Sequence, residues 1–271
     1  MKVGFTHITE KIIKIIPESN RFERIWKLAQ IDFKKRYYND KLGLFWALIN
    51  PSIKVAIYYV VFKKIMNNAN NGIENYALFL FSGIIVWMAF SETIKRGLRI
   101  FMSKRYLIEN INLNKEDLFL SNSLSVQFGF LFNFTAVLII SFFTNVPITT
   151  NLLWLPIIIL NIYLISTGLS VILAIIYIYI RDVMHIIDIF LLLGFWTSGI
   201  FFSSESIYNF SKIYYYTNPF VGILENIRVV ILNEGHLNIG IMSLNITAGI
   251  IIFTFSKLIL SIYSDKILEN I

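Results

Sequence analysis

No cysteine occurs among the 271 residues, which excludes a disulfide framework, a thiolate metal site and a cysteine nucleophile. None of the thirteen glycines is followed by lysine, so there is no G-x-x-x-x-G-K-[ST] loop to cradle nucleotide phosphates. ATP-driven work must then come through a partner. The three histidines, His7, His185 and His236, lie far apart in sequence, and only His185 has a close carboxylate, Asp188. That i, i+3 spacing reads as a local hydrogen bond, and it is thin support for the rival reading as an integral membrane transferase. The first 40 residues lack the apolar core and small-residue cleavage site of a secretory leader, so the N-terminus is expected to stay on the side of synthesis.

Charge is also scarce, at 15% of residues, while 56% are hydrophobic and the mean hydropathy is +0.65. A water-soluble domain of this length cannot cover that much apolar surface, so the surplus faces lipid. Crossing a ~30 Å hydrocarbon core takes ~20 mostly apolar residues. Stretches that meet this need are 42–62, 76–94, 118–143, 152–180, 183–202 and 239–263. Two of them, 118–143 and 152–180, are long enough to tilt. The expected fold is an all-α integral membrane protein with about six transmembrane helices in one domain, 42–271, after a cytoplasmic segment, 1–41.

The 24 lysines and arginines outnumber the 17 acidic residues. In a soluble protein that excess would suggest nucleic acid, but its placement says otherwise. Nineteen fall before the first stretch, between the second and third, in the fourth connection or at the end, and four fall on the other side. Such a bias places both termini in the cytoplasm and reads the charge as a topology signal.

Phe22, Ile25, Trp26, Ala29 and Phe33 follow helical spacing, with Arg21, Arg24, Lys27 and Lys34 elsewhere around the helix. This amphipathic segment is expected in the cytoplasmic headgroup layer, as a simple anchor or as a collar that also touches a cytosolic partner. The connection 95–117 mixes six basic residues with apolar Phe101, Met102, Leu107, Ile108 and Ile111, which fits a short docking helix. On the far side, 203–235 contains "NPFVGILENIRVVIL", an apolar helix of ~13 residues opened by Asn218-Pro219, a dipeptide suited to a helix start. Too short to span, it is expected to dip in and return, as a gate or as an interfacial cap. Glu225 and Arg228, spaced i, i+3, are expected to pair there. Tyr208, Phe210, Tyr214, Tyr215, Tyr216 and Phe220 gather on that side, either as an interfacial belt or as ring faces offered to sugar.

The first hydrophobic stretch holds a puzzle: Asn50, Pro51 and Lys54 sit inside it. Asn50, Lys54 and Tyr58 share one stripe. Counted from Leu42 at ~1.5 Å per residue, Lys54 lies ~18 Å into the core. A charge at that depth costs roughly 2.5–3.5 kcal/mol on insertion scales, so it should face protein or water. Either the stripe lines a pore, or Lys54 has a private ion-pair partner, for which Asp188 is the candidate.

"DFKKRYYNDKLGLFWALINPSIKVAIYYVVF" resembles the start of permease subunits of type-2 ABC exporters that move polysaccharides and lipid-linked polymers, such as O-antigen and teichoic-acid exporters. Asp32, Phe33, Arg36, Tyr37, Leu42, Gly43, Trp46, Asn50 and Pro51 fit that family's pattern. Asp40, Leu113-Asn114 and Ser198-Gly199 depart from it. "YALFLFSGIIVWMAFSE", Arg181-Asp182 and Asn218-Pro219 with Glu225 and Arg228 follow in the family's order, so the likeness covers about 25–265. It implies a homodimer in the bacterial cytoplasmic membrane that binds two cytosolic ATPase subunits, with ATP and Mg on those partners and no cofactor in this chain. It also implies a lipid-linked polysaccharide as cargo, with a drug or a lipid as the alternative. The coupling surface it implies includes Arg99, Lys104, Arg105, Leu107, Ile108 and Glu109, beside Trp26 and Lys27. Channel or gate candidates are Asn50, Lys54, Tyr58, Tyr215, Asn218, Pro219, Glu225 and Arg228.

Overall fold

The computed structural model describes residues 20–37, 41–65, 75–110, 113–147, 149–233 and 235–270. Expectations placed on residues 1–19, on Asp40 and on Ile111 lie outside these residues. Every regular element among the described residues is helical.

Helix α1, Arg21–Tyr37, starts on Asn20, whose side-chain oxygen accepts from the N–H groups of Phe22 (3.1 Å) and Glu23 (3.3 Å). A turn around Gly43, at φ +49°, leads into α2, Phe45–Tyr59, which widens into a π-helical turn, Val60–Ile65. Buried Pro51 does not interrupt α2, and beside it Ser52 Oγ donates to the Leu48 carbonyl at 2.7 Å. Then come α3, Tyr76–Leu98, and two short helices, α4, Ile100–Ser103, and α5, Arg105–Asn110. Helix α6, Lys115–Phe143, is capped by Asn114, and a 3-10 turn, Thr150–Trp154, feeds α7, Leu155–Tyr179. Helix α8 is Val183–Thr197, and the chain ends in α12, Ile239–Asn270. Between them lie α9, Ser204–Phe210, α10, Lys212–Thr217, and α11, Pro219–Leu232.

Among the described residues, five helical segments are long and apolar enough to cross a membrane: Phe45–Lys63, Tyr76–Leu98, Lys115–Phe143, Thr150–Tyr179 and Ile239–Ser264. The expected fifth stretch, 183–202, behaves differently. Its helix stops at Thr197, because Gly199 takes φ +90° and the next residues turn back. Fifteen residues make ~22 Å, so α8 alone falls short of the hydrocarbon thickness.

Helix α3 is the centre of the bundle. It is almost wholly apolar from Tyr76 to Phe90, and 78% of its most apolar eighteen residues are buried, against 11% for α2 and 17% for α12. Small residues let its neighbours approach: a Cβ on Gly97 of α3 would lie 2.5 Å from the Ser170 Cβ of α7. One on Gly168 of α7 would lie 3.0 Å from the α12 backbone. Bringing helix backbones this close supplies the van der Waals contact that lipid cannot.

At the inner end, α1 lies across α6. Trp26 and Phe33 meet Phe128 edge-on at 5.1 and 6.2 Å, and Leu28 and Ala29 are fully buried. The expected headgroup-facing stripe is therefore split. Phe22 and Trp26 are exposed, while Ala29 packs on protein. Basic residues of α1 also turn inward. Arg21 Nε and Arg24 Nη2 reach the two oxygens of buried Asp117 at 2.7 and 2.6 Å, and Arg21 also holds Glu116 at 2.7 Å. These hydrogen bonds, chiefly the one Arg21 donates to Asp117, raise the Arg21 pKa above its ordinary value. Lys257 of α12 joins Glu116 at 2.9 Å, so one acidic corner fastens α1, α6 and α12 together.

Asp117→Asn removes the charge from this corner and leaves two arginines facing a neutral amide. We expect a loss of about 3 kcal/mol of stability, read as earlier thermal unfolding in detergent and faster proteolysis near α1. Gly168→Leu should separate α7 from α12 and lower the unfolding temperature further than the same change at Gly240, where an added Cβ would meet only Asn238 Oδ1 at an ordinary contact distance of 3.6 Å.

Candidate functional site

The α2 stripe expected from the sequence is present, but its three residues do different things. Asn50 borders a cavity of 530 Å³ shared with Trp46, Arg36, Glu92 and Asn133. Tyr58 packs against Phe195 and Phe201 at 5.7 and 5.1 Å, which joins α2 to α8. Lys54 is exposed on α2, and among the described residues it forms no ion pair. The proposed partner was wrong: Asp188 is held by Lys95 at 2.7 Å. From Phe45, where the helix begins, Lys54 lies ~14 Å along it, still at bilayer depth. Helices α2 and α8 leave Ile53, Ile57, Ile189, Phe190 and Leu193 exposed.

The outer segment is a compact three-helix cap. Ser203, Ser211 and Asn218 cap α9, α10 and α11 in turn, each accepting from a backbone N–H, and Pro219 opens α11. Asn218 also donates to Tyr214 Oη at 2.8 Å, and Tyr214 donates to the Thr197 carbonyl at 2.9 Å, tying the cap to the end of α8. Tyr208 and Tyr216 pack edge-on against Tyr215 at 5.2 and 5.1 Å. Tyr215 is itself buried, and its hydroxyl donates to Glu225 at 2.6 Å. Its ring is thus committed to the cap, whereas Phe210, Ile213 and Tyr216 stay exposed.

Glu225 and Arg228 do not pair, contrary to expectation. Glu225 accepts from Tyr215 and from Asn238 Nδ2 at 3.2 Å. Arg228 points the other way, donating to the carbonyls of Gly199 (2.8 Å), Ile200 (2.9 Å) and Phe202 (3.2 Å). Its guanidinium carbon lies 3.4 Å from the centre of the Phe79 ring. The turn after α8 exposes carbonyls that a helix would have satisfied, and a buried five-donor fork is the side chain suited to collect them. Glu225 and Arg228 still share the wall of a smaller cavity of 290 Å³ with Ser203 and His236.

At the inner end the expected coupling residues sort into two sets. Leu107 and Ile108 are half-buried against the cluster of Leu28, Phe101 and Leu113, so they anchor α5. Lys104 is drawn inward to Asp32, and Arg99 rests on the Met184 thioether, with Nε at 3.1 Å from the sulfur. Arg105 and Glu109, 2.6 Å apart, and Lys27 with Glu23 at 2.8 Å form exposed i, i+4 pairs, and Trp26 is exposed beside them. Arg36, read only as part of a family pattern, meets Glu92 at 3.2 Å, and Glu92 also holds Arg96 at 2.9 Å. Sequence reading missed Asp117, Glu92 and the buried polar run Ser121, Asn122, Ser123, Ser125 and Gln127 in α6. Polar residues packed that densely inside an apolar stretch were the available signal.

Arg228→Lys keeps the charge but cannot bridge three carbonyls. We expect a loss of about 3 kcal/mol, with the cap loosened before the bundle. Because the chain has no cysteine, Ser204→Cys gives a single labelling site, and its reactivity should rise in the Arg228→Lys background.

A family model described as ABC-2 type transporter matches residues 23–232, from the first turn of α1 to the end of α11. Two Klebsiella pneumoniae proteins, each named O-antigen export system permease protein RfbA, are 27% and 26% identical over 85% of this chain and 88% of their own length. A Myxococcus xanthus protein of the same name is 22% identical over 81% of this chain and 84% of its own. With its apolar crossing helices, the chain belongs to the ABC-2 type transporter family, as a multi-pass membrane permease.

Proposed function

We propose that this chain is the pore-forming subunit of an ATP-driven exporter of lipid-linked polysaccharide, acting as a homodimer with two cytosolic ATPase subunits. It sits in the bacterial cytoplasmic membrane with both termini inside, an orientation that its lysine and arginine placement supports. The polysaccharide cargo is argued from the names that its relatives carry.

The observation that carries the transport reading is Lys54. A cation on the most exposed crossing helix, at bilayer depth and without a carboxylate partner among the described residues, is costly in lipid. It becomes affordable when α2 and α8 meet a second copy across a water-filled path, which would also cover the exposed Ile53, Ile57, Ile189 and Phe190. Asn50 continues that polar lining inward. The outer cap, braced by Arg228 and by Tyr215 with Glu225, closes the far end, with Asn218-Pro219 setting the entry of α11. At the inner end, Trp26, Lys27, Arg105 and Glu109 form the exposed surface on which an ATPase subunit rests. Leu107 and Ile108 hold that surface rigidly to the bundle.

Lys54→Met should insert and fold, with its thermal unfolding unchanged or raised, yet export should fall by about tenfold or more. Surface polymer in a complemented deletion strain measures this. Full export by the variant removes Lys54 from the pathway. A deletion strain with a normal polymer layer moves the cargo to another class, a drug or a lipid. Arg105→Glu should leave folding intact and weaken co-purification with the ATPase.

A further inference from the structure

Six cations converge on one concavity at the inner end of the bundle. Lys35 and Arg36 come from α1, Lys95 and Arg96 from α3, and Arg99 and Lys104 from the bends on either side of α4. The cavity they line measures 530 Å³, the share of about eighteen waters at ~30 Å³ each. Three carboxylates contact this set: Asp32 holds Lys104, Glu92 holds Arg36 and Arg96, and Asp188 holds Lys95. Lys35 and Arg99 are left over, and neither forms an ion pair among the described residues. The neighbour of Arg99 is a thioether, a weak acceptor for a guanidinium.

Three helical segments bring the six cations to the same space, with Lys35, Lys95 and Arg99 exposed to solvent and Arg36, Arg96 and Lys104 half-buried. Partial desolvation depresses the Lys35 pKa, against the pull of Asp32 and with a further push from Lys104. An anion in the cavity would relieve both effects.

Arg36 also borders the other 530 Å³ cavity, which rises beside α2. That space offers apolar Ile85, Met88 and Val126 together with Asn50 and Asn133. Asn133 is 8% exposed, and its Oδ1 has no hydrogen-bond partner among the described residues. The basic cavity thus shares an arginine with a mixed polar and apolar cavity beside α2.

We propose that the basic cavity is a phosphate-binding site, in which Lys35 and Arg99 receive the phosphate or pyrophosphate of a membrane lipid and Arg36 stands where the attached group enters the cavity beside α2. Guanidinium and ammonium groups make charge-assisted hydrogen bonds to phosphate oxygens, each stronger than a neutral one. That the lipid is the exported one rests on the export reading. The phosphate site itself does not.

The test uses the full chain in nanodiscs of zwitterionic lipid, with three probes: a short polyprenyl pyrophosphate, phosphatidylglycerol and inorganic pyrophosphate. We expect Lys35→Gln and Arg99→Gln each to weaken polyprenyl pyrophosphate binding about tenfold, and the double variant about a hundredfold. Lys212→Gln, which removes one charge at the outer cap, should leave binding unchanged. Both substitutions spare the existing ion pairs, so the unfolding temperature should hold. Tightest binding of the polyprenyl probe ties the site to the cargo. Equal binding of phosphatidylglycerol assigns it to bulk anionic lipid, and equal binding of inorganic pyrophosphate to a soluble anion. Each of these results supports a phosphate site. Undiminished binding of all three probes by the double variant overturns it. So does a double variant that binds every probe normally and loses only its grip on the ATPase, because the cavity then receives an acidic protein segment. Binding here is read without export, so a failed export assay with intact probe binding strikes the transport reading alone.

Discussion

A charge buried in a low-dielectric bundle must find a counter-charge or a set of dipoles, and both ends of this molecule are organised around that need. Inside, the fully buried Asp117 carboxylate draws Arg21 and Arg24 to it, and in doing so fixes where the amphipathic α1 lies. Outside, Arg228 gathers the three carbonyls that the turn after α8 leaves unpaired, and so fixes how α8 hands the chain to the cap. Between these two anchors the bundle is held by close helix packing on α3, with small residues where backbones approach.

This arrangement explains why one helix can stay so exposed. Helix α3 supplies the protein-facing core, which frees α2 and α8 to present their apolar and polar residues outward. A Lys54 facing lipid there would carry an insertion cost of roughly 2.5–3.5 kcal/mol. The inner ion pairs make α1, α4 and α5 one rigid ledge against the bundle, since Asp32 on α1 is joined to Lys104 beside α5. A partner pressing on that ledge pushes on α3 and α6 as well. The basic cavity lies in the angle between ledge and bundle, where such a push is felt.

Several elements were legible residue by residue. The apolar runs marked the crossing helices, and Asn218-Pro219 marked the start of α11 to the residue. The spacing of Phe22, Trp26 and Phe33 marked α1 as amphipathic, but not which half of its face would meet protein. Glu225 and Arg228 show the limit clearly. Spacing of i, i+3 places two side chains within reach of each other, and it does not reveal a better partner elsewhere. Arg228 left Glu225 for carbonyls contributed by residues 26 to 29 positions away. Lys54 and Asp188 failed for the same reason, because Lys95 on α3 was nearer.

By itself the sequence determined what must sit in the membrane and where helices begin. Those features follow from hydrophobic length and local capping, each a property of neighbouring residues. Only the tertiary structure decided which charge meets which, that α8 ends early, and that six cations share one cavity. Pair energies fall steeply with separation in space, and separation in space is set by how the helices cross.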